Sequence, residues 1–289
     1  MARNDKALLR YSILTWNVRG MNTAKRRHSI QTYIRRRNTD VALLQESHLT
    51  NIEALRLQKR WRGQVFSTTF SAFARGATIW VRAGVPFRCT GQIVDPEGRF
   101  VLVRGYLDGS QIVLGSIYAP NTDLPIFLDR LSQQLAPWSD IPWVLGGDYN
   151  CILDLDLDRS FPPLPRAPVH VGSRRFCDWA LHWRLLDVWR HRNPSTRIYS
   201  FYSAPHDLHV RLDRILCSSA LVTSISDATY LGRTISDHNP LLVQLTWNDT
   251  PAPIPTWRLS PKWLEDPAFS AGLAKFTGEF FELNDNSSS

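Results

Sequence analysis

Residues Arg99–Asn121 read RFVLVRGYLDGSQIVLGSIYAPN. Two apolar runs, Arg99–Leu107 and Ser110–Tyr118, flank Asp108-Gly109, a pair that closes tight hairpins because glycine tolerates positive φ. The stretch is therefore a strand pair whose second member runs out at Tyr118, where Pro120 ends the ladder and Asn121 offers a polar group. Upstream, strands are expected at Tyr11–Asn17, Val41–Gln45, Gln64–Phe70, Gly76–Val81 and Phe87–Val94. A basic helix at Ala24–Arg37 carries Ile30, Tyr33 and Ile34 on one face. Downstream come a helix at Leu124–Leu135, a buried strand at Ile141–Leu145, an irregular Pro-rich loop at Phe161–Pro168 and a helix at Arg174–Leu186. Strands resume at Ile198–Ser203, Val210–Cys217, Ala228–Leu231 and Leu241–Leu245, with no internal repeat. The class is α+β, with strands enough for two sheets.

Residues 1–248 form the body on this reading. Residues 249–289 begin as a Pro-rich linker and continue as an amphipathic helix, Pro267–Leu283, with Phe269, Leu273, Phe276 and Phe280 on its apolar face. Hydrophobic residues make up 43% and aromatics 11% of the 289 residues, which excludes a disordered chain. Apolar runs such as Val41–Leu44 are far shorter than the roughly 20 residues of a membrane span. The charged start MARNDKALLR does not resemble a secretion signal, so a cytosolic or nuclear setting is expected. Cys89, Cys151, Cys177 and Cys217 are scattered without a C-x-x-C pair and are expected as reduced core residues.

The net charge is +8, and 29 of the 34 basic residues are Arg. A planar guanidinium binds phosphate bidentately and stacks on bases, so this excess suits nucleic-acid contact. The clusters Lys25–His28, Arg35–Arg37, Arg56–Arg62, Arg174-Arg175 and Arg190–Arg192 lie in folded-looking segments, as patches on a globular surface would.

Several apolar runs end in chemically useful groups: YSILTW in Asn17, VALLQ in Glu46, IVLGSI in Tyr118 and Asn121, IPWVLGG in Asp148 and Asn150. Asp213 lies in RLDRIL, and Ser236-Asp237-His238 precedes PLLVQL. Each alone is explained as a turn former, a core Tyr or a cap; together they suggest strand ends converging on one rim. Glu46, Asp148, Asp213 and Asp237 on one rim would repel each other and any anionic substrate unless a cation compensates. Oxygen ligands with Asn carboxamides and no Cys favour Mg²⁺ or Mn²⁺ over zinc. No Walker A, G-x-G-x-x-G or H-E-x-x-H motif occurs, so metal-assisted phosphodiester hydrolysis is the chemistry that remains.

TWNVRG, LLQESHL, IYAPN, LGGDYNC, RLDRIL and SDHNPLL, in this order, resemble the motifs of the endonuclease/exonuclease/phosphatase superfamily. More narrowly, Tyr11–Leu245 resembles the apurinic-like endonuclease domain of LINE (non-LTR) retrotransposons, the Tx-like vertebrate clade in particular. The resemblance implies a four-layered α/β-sandwich, two mainly antiparallel sheets packed face to face with helices outside. It implies a Mg²⁺-dependent endonuclease that nicks one strand of duplex DNA and leaves a 3′-hydroxyl primer. Residues 1–248 would be that domain, leading to a downstream reverse transcriptase of the same polyprotein. A monomer with no membrane partner is expected, translated in the cytoplasm and acting in the nucleus.

By motif position, Glu46 matches the metal-binding glutamate with Asn17 beside it and Asp237 on the metal side. Asp148 and Asn150 match the pair that handles the attacking water and the phosphate, Tyr118 the phosphate-contacting tyrosine, and Asp213 and His238 an Asp–His pair. Either Asp148 or His238 would take the water's proton. Arg19, Asn121, Ser200, His206, Arg211 and Ser236 are the expected DNA contacts, with Ser203–Arg211 as a minor-groove hairpin. Arg19 replaces an acidic residue of repair apurinic endonucleases, which weakens the alternative of an abasic-site repair enzyme; a catalytically dead binding module is the other alternative.

Overall fold

Two parallel strand pairs set the architecture. β1 (Leu9–Asn17) runs parallel to β2 (Val41–Gln45), and β7 (Ser110–Tyr118) parallel to β8 (Trp143–Asp148); the other pairings within the two large sheets are antiparallel. The structure, a computed structural model, describes residues 9–160, 171–232, 235–247 and 266–284. The first sheet adds β3 (Gly63–Ser67), β4 (Ala77–Arg82), β13 (Ile225–Tyr230) and β14 (Leu241–Trp247), in the order β13-β14-β1-β2-β4-β3. The second adds β5 (Phe87–Val94), β6 (Phe100–Leu107), β9 (Leu185–Asp187) and β12 (Asp213–Ser218), in the order β5-β6-β7-β8-β12-β9. A separate ribbon joins β10 (Phe201–Ser203) to β11 (Leu208–Val210).

Side-chain alternation makes four layers of these strands. One face of each sheet meets the other in a core that includes Ile13, Leu43, Ile79, Val101, Leu114, Ile215 and Val243. The outer face of the first sheet packs under α1 (Ala24–Arg36) and α2 (Asn51–Arg60), through Trp16, Ile30, Ile34, Leu57 and Trp80. The outer face of the second packs under α3 (Leu124–Leu135) and α4 (Val171–His182), through Leu128, Leu131, Phe176 and Trp179. The expected sandwich is therefore the observed one.

Several local expectations are corrected; the strands expected at Gln64–Phe70 and Ile198–Ser203 are the shorter Gly63–Ser67 and Phe201–Ser203. The helix expected through Leu186 stops at His182, because Leu185–Asp187 pairs with Leu216–Ser218 as an edge strand; α5 (Val188–Arg192) follows, capped by Asp187. The strand expected over Val210–Cys217 breaks at Arg211-Leu212, where the chain leaves the ribbon and enters the second sheet. α2 was not foreseen. Cys151 and Cys217 are buried, but Cys177 is exposed; all four cysteines are free. The Pro-rich loop and the linker fall outside the described residues. In the C-terminal unit a helix, α6 (Pro267–Asn284), forms as expected, with Leu273 and Phe276 exposed. Among the described residues no helix is long and apolar enough to cross a membrane.

Candidate active site

Parallel pairing puts two strand C-termini at one edge of each sheet. β1 and β2 end there in Asn17 and Gln45, with Glu46 next; β7 and β8 end there with Tyr118 paired to Asp148. β12 is antiparallel to β8 and so begins at the same edge, Asp213 opposite Asp148. β14 also starts there, Leu241 opposite Thr15, just after His238. Register alone thus gathers residues nearly two hundred positions apart.

Glycine closes the gap between the sheets. A Cβ on Gly146 would stand 2.6 Å from Leu43 Cδ1 and 2.9 Å from Thr15 Cβ. The bare backbone brings β8 close enough for Asn17 Nδ2 to donate to both Asp148 Oδ2 and Glu46 Oε1, each at 2.9 Å. Beneath these carboxylates a buried polar layer ties the sheets: Gln45 Nε2 donates to Ser116 Oγ (3.0 Å), and Ser116 Oγ donates to the Leu44 carbonyl (2.9 Å).

His238 Nδ1 meets Asp213 Oδ2 at 2.7 Å, and its Nε2 lies 3.9 Å from Asp148 Oδ2. Trp16 Nε1 donates to the His238 carbonyl (3.1 Å), and Tyr230 donates to the Asp213 carbonyl (2.5 Å). The Phe201 ring lies against the imidazole, centroids 4.6 Å apart. Burial alone would lower the His238 pKa, but the Asp213 and Asp148 carboxylates push it up to about 9. Burial, with the Asp213 charge beside it, pushes Asp148 up to about 6. Glu46 goes the other way: burial opposes ionisation, yet hydrogen bonds from His48, Asn17 and Tyr118 hold it at about 2. Tyr118 is raised by burial and by the Glu46 and Asp148 charges, so it stays a protonated donor.

Asp148, Asp213 and His238 offer ligand atoms within 4.8 Å of one another, a group able to hold a metal ion. Asp213 and His238 are engaged with each other, while the Asp148 and Glu46 carboxylates share the Asn17 amide group and, among the described residues, are not paired with an Arg or Lys, which makes them the oxygen donors best placed for a cation. An ionised, partly buried Glu46 beside a second carboxylate fits a hard divalent cation.

The remaining expected residues divide. Asn150 Nδ2 donates to the Ala119 carbonyl (2.8 Å), and Asn150 and Asn121 both line a cavity of about 590 Å³ beside the site. Asp237 does not join Asn17 and Glu46; Arg19, itself exposed, takes its carboxylate. Three expected DNA contacts are corrected because they are buried in structural bonds. Ser200 Oγ accepts the Leu212 and Asp213 amides (2.9 and 3.0 Å). Ser236 Oγ donates to the Asn17 carbonyl (2.7 Å). Arg211 is 1% exposed and pairs with Asp158 and Asp187, both at 2.7 Å. His206 lies in the turn Ala204–His206 that joins β10 to β11.

Two features went unforeseen. His48 Nε2 lies 3.3 Å from Glu46 Oε2, and both residues have positive φ; the motif LLQESHL holds His48 two places after Glu46. Asp158, fully buried, collects Arg190, Arg211 and Arg214 at 2.7–3.0 Å behind the Asp213 strand. Only its acidic neighbourhood, DLDLDR, hinted at this in the sequence.

Comparison with known proteins places the fold and the family. The chain is 29% identical over 287 residues to the "Transposon TX1 uncharacterized 149 kDa protein" of Xenopus laevis, covering 94% of this chain and 21% of that protein. The chain thus spans about a fifth of the relative's length. An AP endonuclease from Leishmania major superposes with a TM-score of 0.68 at 20% identity, over 83% of this chain and 88% of that one. An AP endonuclease from Archaeoglobus fulgidus gives 0.64 at 22% identity, over 81% and 98%. A 3′ phosphatase from Neisseria, bound to a product DNA hairpin, gives 0.61 at 23% identity, over 82% and 100%. The Endonuclease/Exonuclease/phosphatase family profile matches residues 14–238, so the chain belongs to that family.

Proposed function

We propose that this chain is a Mg²⁺-dependent endonuclease that nicks one strand of duplex DNA and leaves a 3′-hydroxyl, as the nicking domain of a LINE-type element whose reverse transcriptase extends that end. The observation that carries the reading is the chain of contacts Glu46–Asn17–Asp148–His238–Asp213, all at one rim. Similarity to a transposon protein supports the LINE assignment, and a DNA hairpin bound to a protein of the same fold supports a DNA substrate. Residues 1–248 would be the nuclease, working in the nucleus.

Glu46 and Asp148, oriented by Asn17, would hold the divalent ion. Bound there, it supplies charge to the phosphate and to the leaving 3′-oxygen. Asp148, whose carboxylate faces His238 Nε2 at 3.9 Å, would take the proton of the attacking water. His238, protonated at pH 7 and fixed by Asp213, donates to a non-bridging phosphate oxygen, and Tyr118 would turn its single O–H from Glu46 to the phosphate for a second hydrogen bond. This division of labour makes Asp148 the base.

Supercoiled plasmid should give open circles with Mg²⁺ and none with EDTA, and a polymerase should extend the nicked end without prior phosphatase treatment. Absence of nicking, or ends that need a phosphatase, contradicts the proposal. His238 acts in its charged form, so the rate should fall as pH rises through about 9. An intact duplex should be cut at least as well as one containing an abasic site; a strong abasic preference would instead indicate a repair enzyme.

A further inference from the structure

The sequence carries eight excess positive charges, and the fold gathers many of its cations far from the catalytic rim. β1 and β2 end at the rim, so Arg10 near the start of β1 and Arg35–Arg37 just ahead of β2 lie at the opposite edge of the first sheet. Register adds Arg62 and Arg82, because Val81 pairs with Val41 and Arg82 with Gly63. α2 ends at the same edge with Lys59 and Arg60.

Arg35, Arg36, Arg37, Lys59, Arg60 and Arg62 are all exposed, and among the described residues none has a carboxylate partner. Of the acids at this end of the sandwich, Asp40 is buried and spent on Arg82 and on the Ser12 amide, and Asp108, in the β6–β7 turn, stands close to Tyr11. Glu53 stands towards the other end of α2 and pairs with Arg27 and Arg56. One or two cations in a last turn complement the helix macrodipole. Six without a counter-charge among the described residues repel one another, and a polyanion relieves that repulsion. Arg35 lies over the Trp61 ring (5.6 Å) and Arg37 over the Tyr33 ring (5.4 Å), both still exposed. Nine residues of β1 separate this edge from Asn17, roughly 25 Å at the rise of a strand. The edge is therefore a second surface and not an extension of the catalytic groove.

We propose that this far edge binds the sugar–phosphate backbone of a single-stranded nucleic acid distinct from the duplex at the catalytic rim. A single strand is favoured because its unpaired bases offer faces for guanidinium stacking in addition to its phosphates. The proposal goes beyond the nicking reading and does not depend on it.

The test measures fluorescence anisotropy of a short labelled single-stranded RNA and of a duplex DNA of the same sequence, across a salt series. The combined variant Arg35→Ala, Arg36→Ala, Arg37→Ala, Lys59→Ala, Arg60→Ala should bind the RNA about tenfold more weakly or worse. Its slope of log K against log salt should be shallower by about 3. Plasmid nicking should stay within about twofold of wild type, and the melting temperature should hold. The set Arg35→Lys, Arg36→Lys, Arg37→Lys should keep the salt slope. Unchanged RNA affinity in the alanine variant overturns the proposal, as does nicking that falls in step with RNA affinity. A wild-type protein that prefers the duplex, with the loss confined to the duplex, overturns it as well. If the wild type never nicks, the binding arm still decides.

Discussion

Asp148→Asn is expected to lower the nicking rate by about a thousandfold without weakening the fold. The substitution keeps the shape of a fully buried side chain but removes the proposed base and one of the two carboxylates proposed to hold the ion. Stability should move the other way. Burial and the neighbouring Asp213 charge already disfavour the ionised carboxyl, so a neutral amide relieves a strain the native site carries at pH 7. The expected result is an inactive protein whose melting temperature is unchanged or raised, the pattern of a site held against its own stability. A variant that nicks within about tenfold of wild type would place the chemistry elsewhere.

Asp158→Ala is expected to do the reverse, damaging the fold first. The carboxylate is 0% exposed and accepts from Arg190, Arg211 and Arg214; removing it leaves three guanidinium groups around an empty position. Breaking a buried ion pair on one side costs about 3–5 kcal/mol. Although burial opposes its ionisation, the three arginines hold the carboxyl far below the usual range. Its stabilisation is therefore complete above the ordinary carboxylate pKa and lost only as pH falls into strong acid. Urea denaturation should show the loss directly. A change below about 1 kcal/mol would mean that the cluster behaves like an exposed ion pair.

These two residues show where the sequence was legible. Asp148 closes a wholly buried strand, whose end is readable because an unbroken apolar run stops at polar groups. Alternation located Phe87–Val94, the Asp108-Gly109 turn located the start of Ser110–Tyr118, and helical spacing of apolar residues located Leu124–Leu135, all at their observed bounds. α2 escaped because its buried face is only Ala54 and Leu57, while Ile52 and Leu55 are exposed, so the apolar period misleads. Thr50, which caps the Glu53 amide at the head of the helix, was the better signal. Leu185-Leu186 extended the expected helix because a short apolar run fits helix and strand equally.

Within the site, residue type told what each group can bond but not with whom. Ser200, Ser236 and Arg211 have the right chemistry for phosphate, and the fold uses it on its own backbone and carboxylates. Asp237 was expected beside the metal; the exposed Arg19 guanidinium claims it, a pairing across 218 positions that no local pattern announces. His48 escaped because a histidine two residues beyond Glu46 reads as a turn until both left-handed backbones bring its ring to the carboxylate.

The central claim is that Glu46 and Asp148 share one divalent ion at the mouth of the sandwich. Crystals soaked in Mn²⁺ and measured at its absorption edge test it most directly. The account predicts an anomalous peak within bonding distance of the Glu46 carboxylate and next to Asp148, absent in Glu46→Gln. A peak bound only to Asp237, or no peak at this rim, would contradict it.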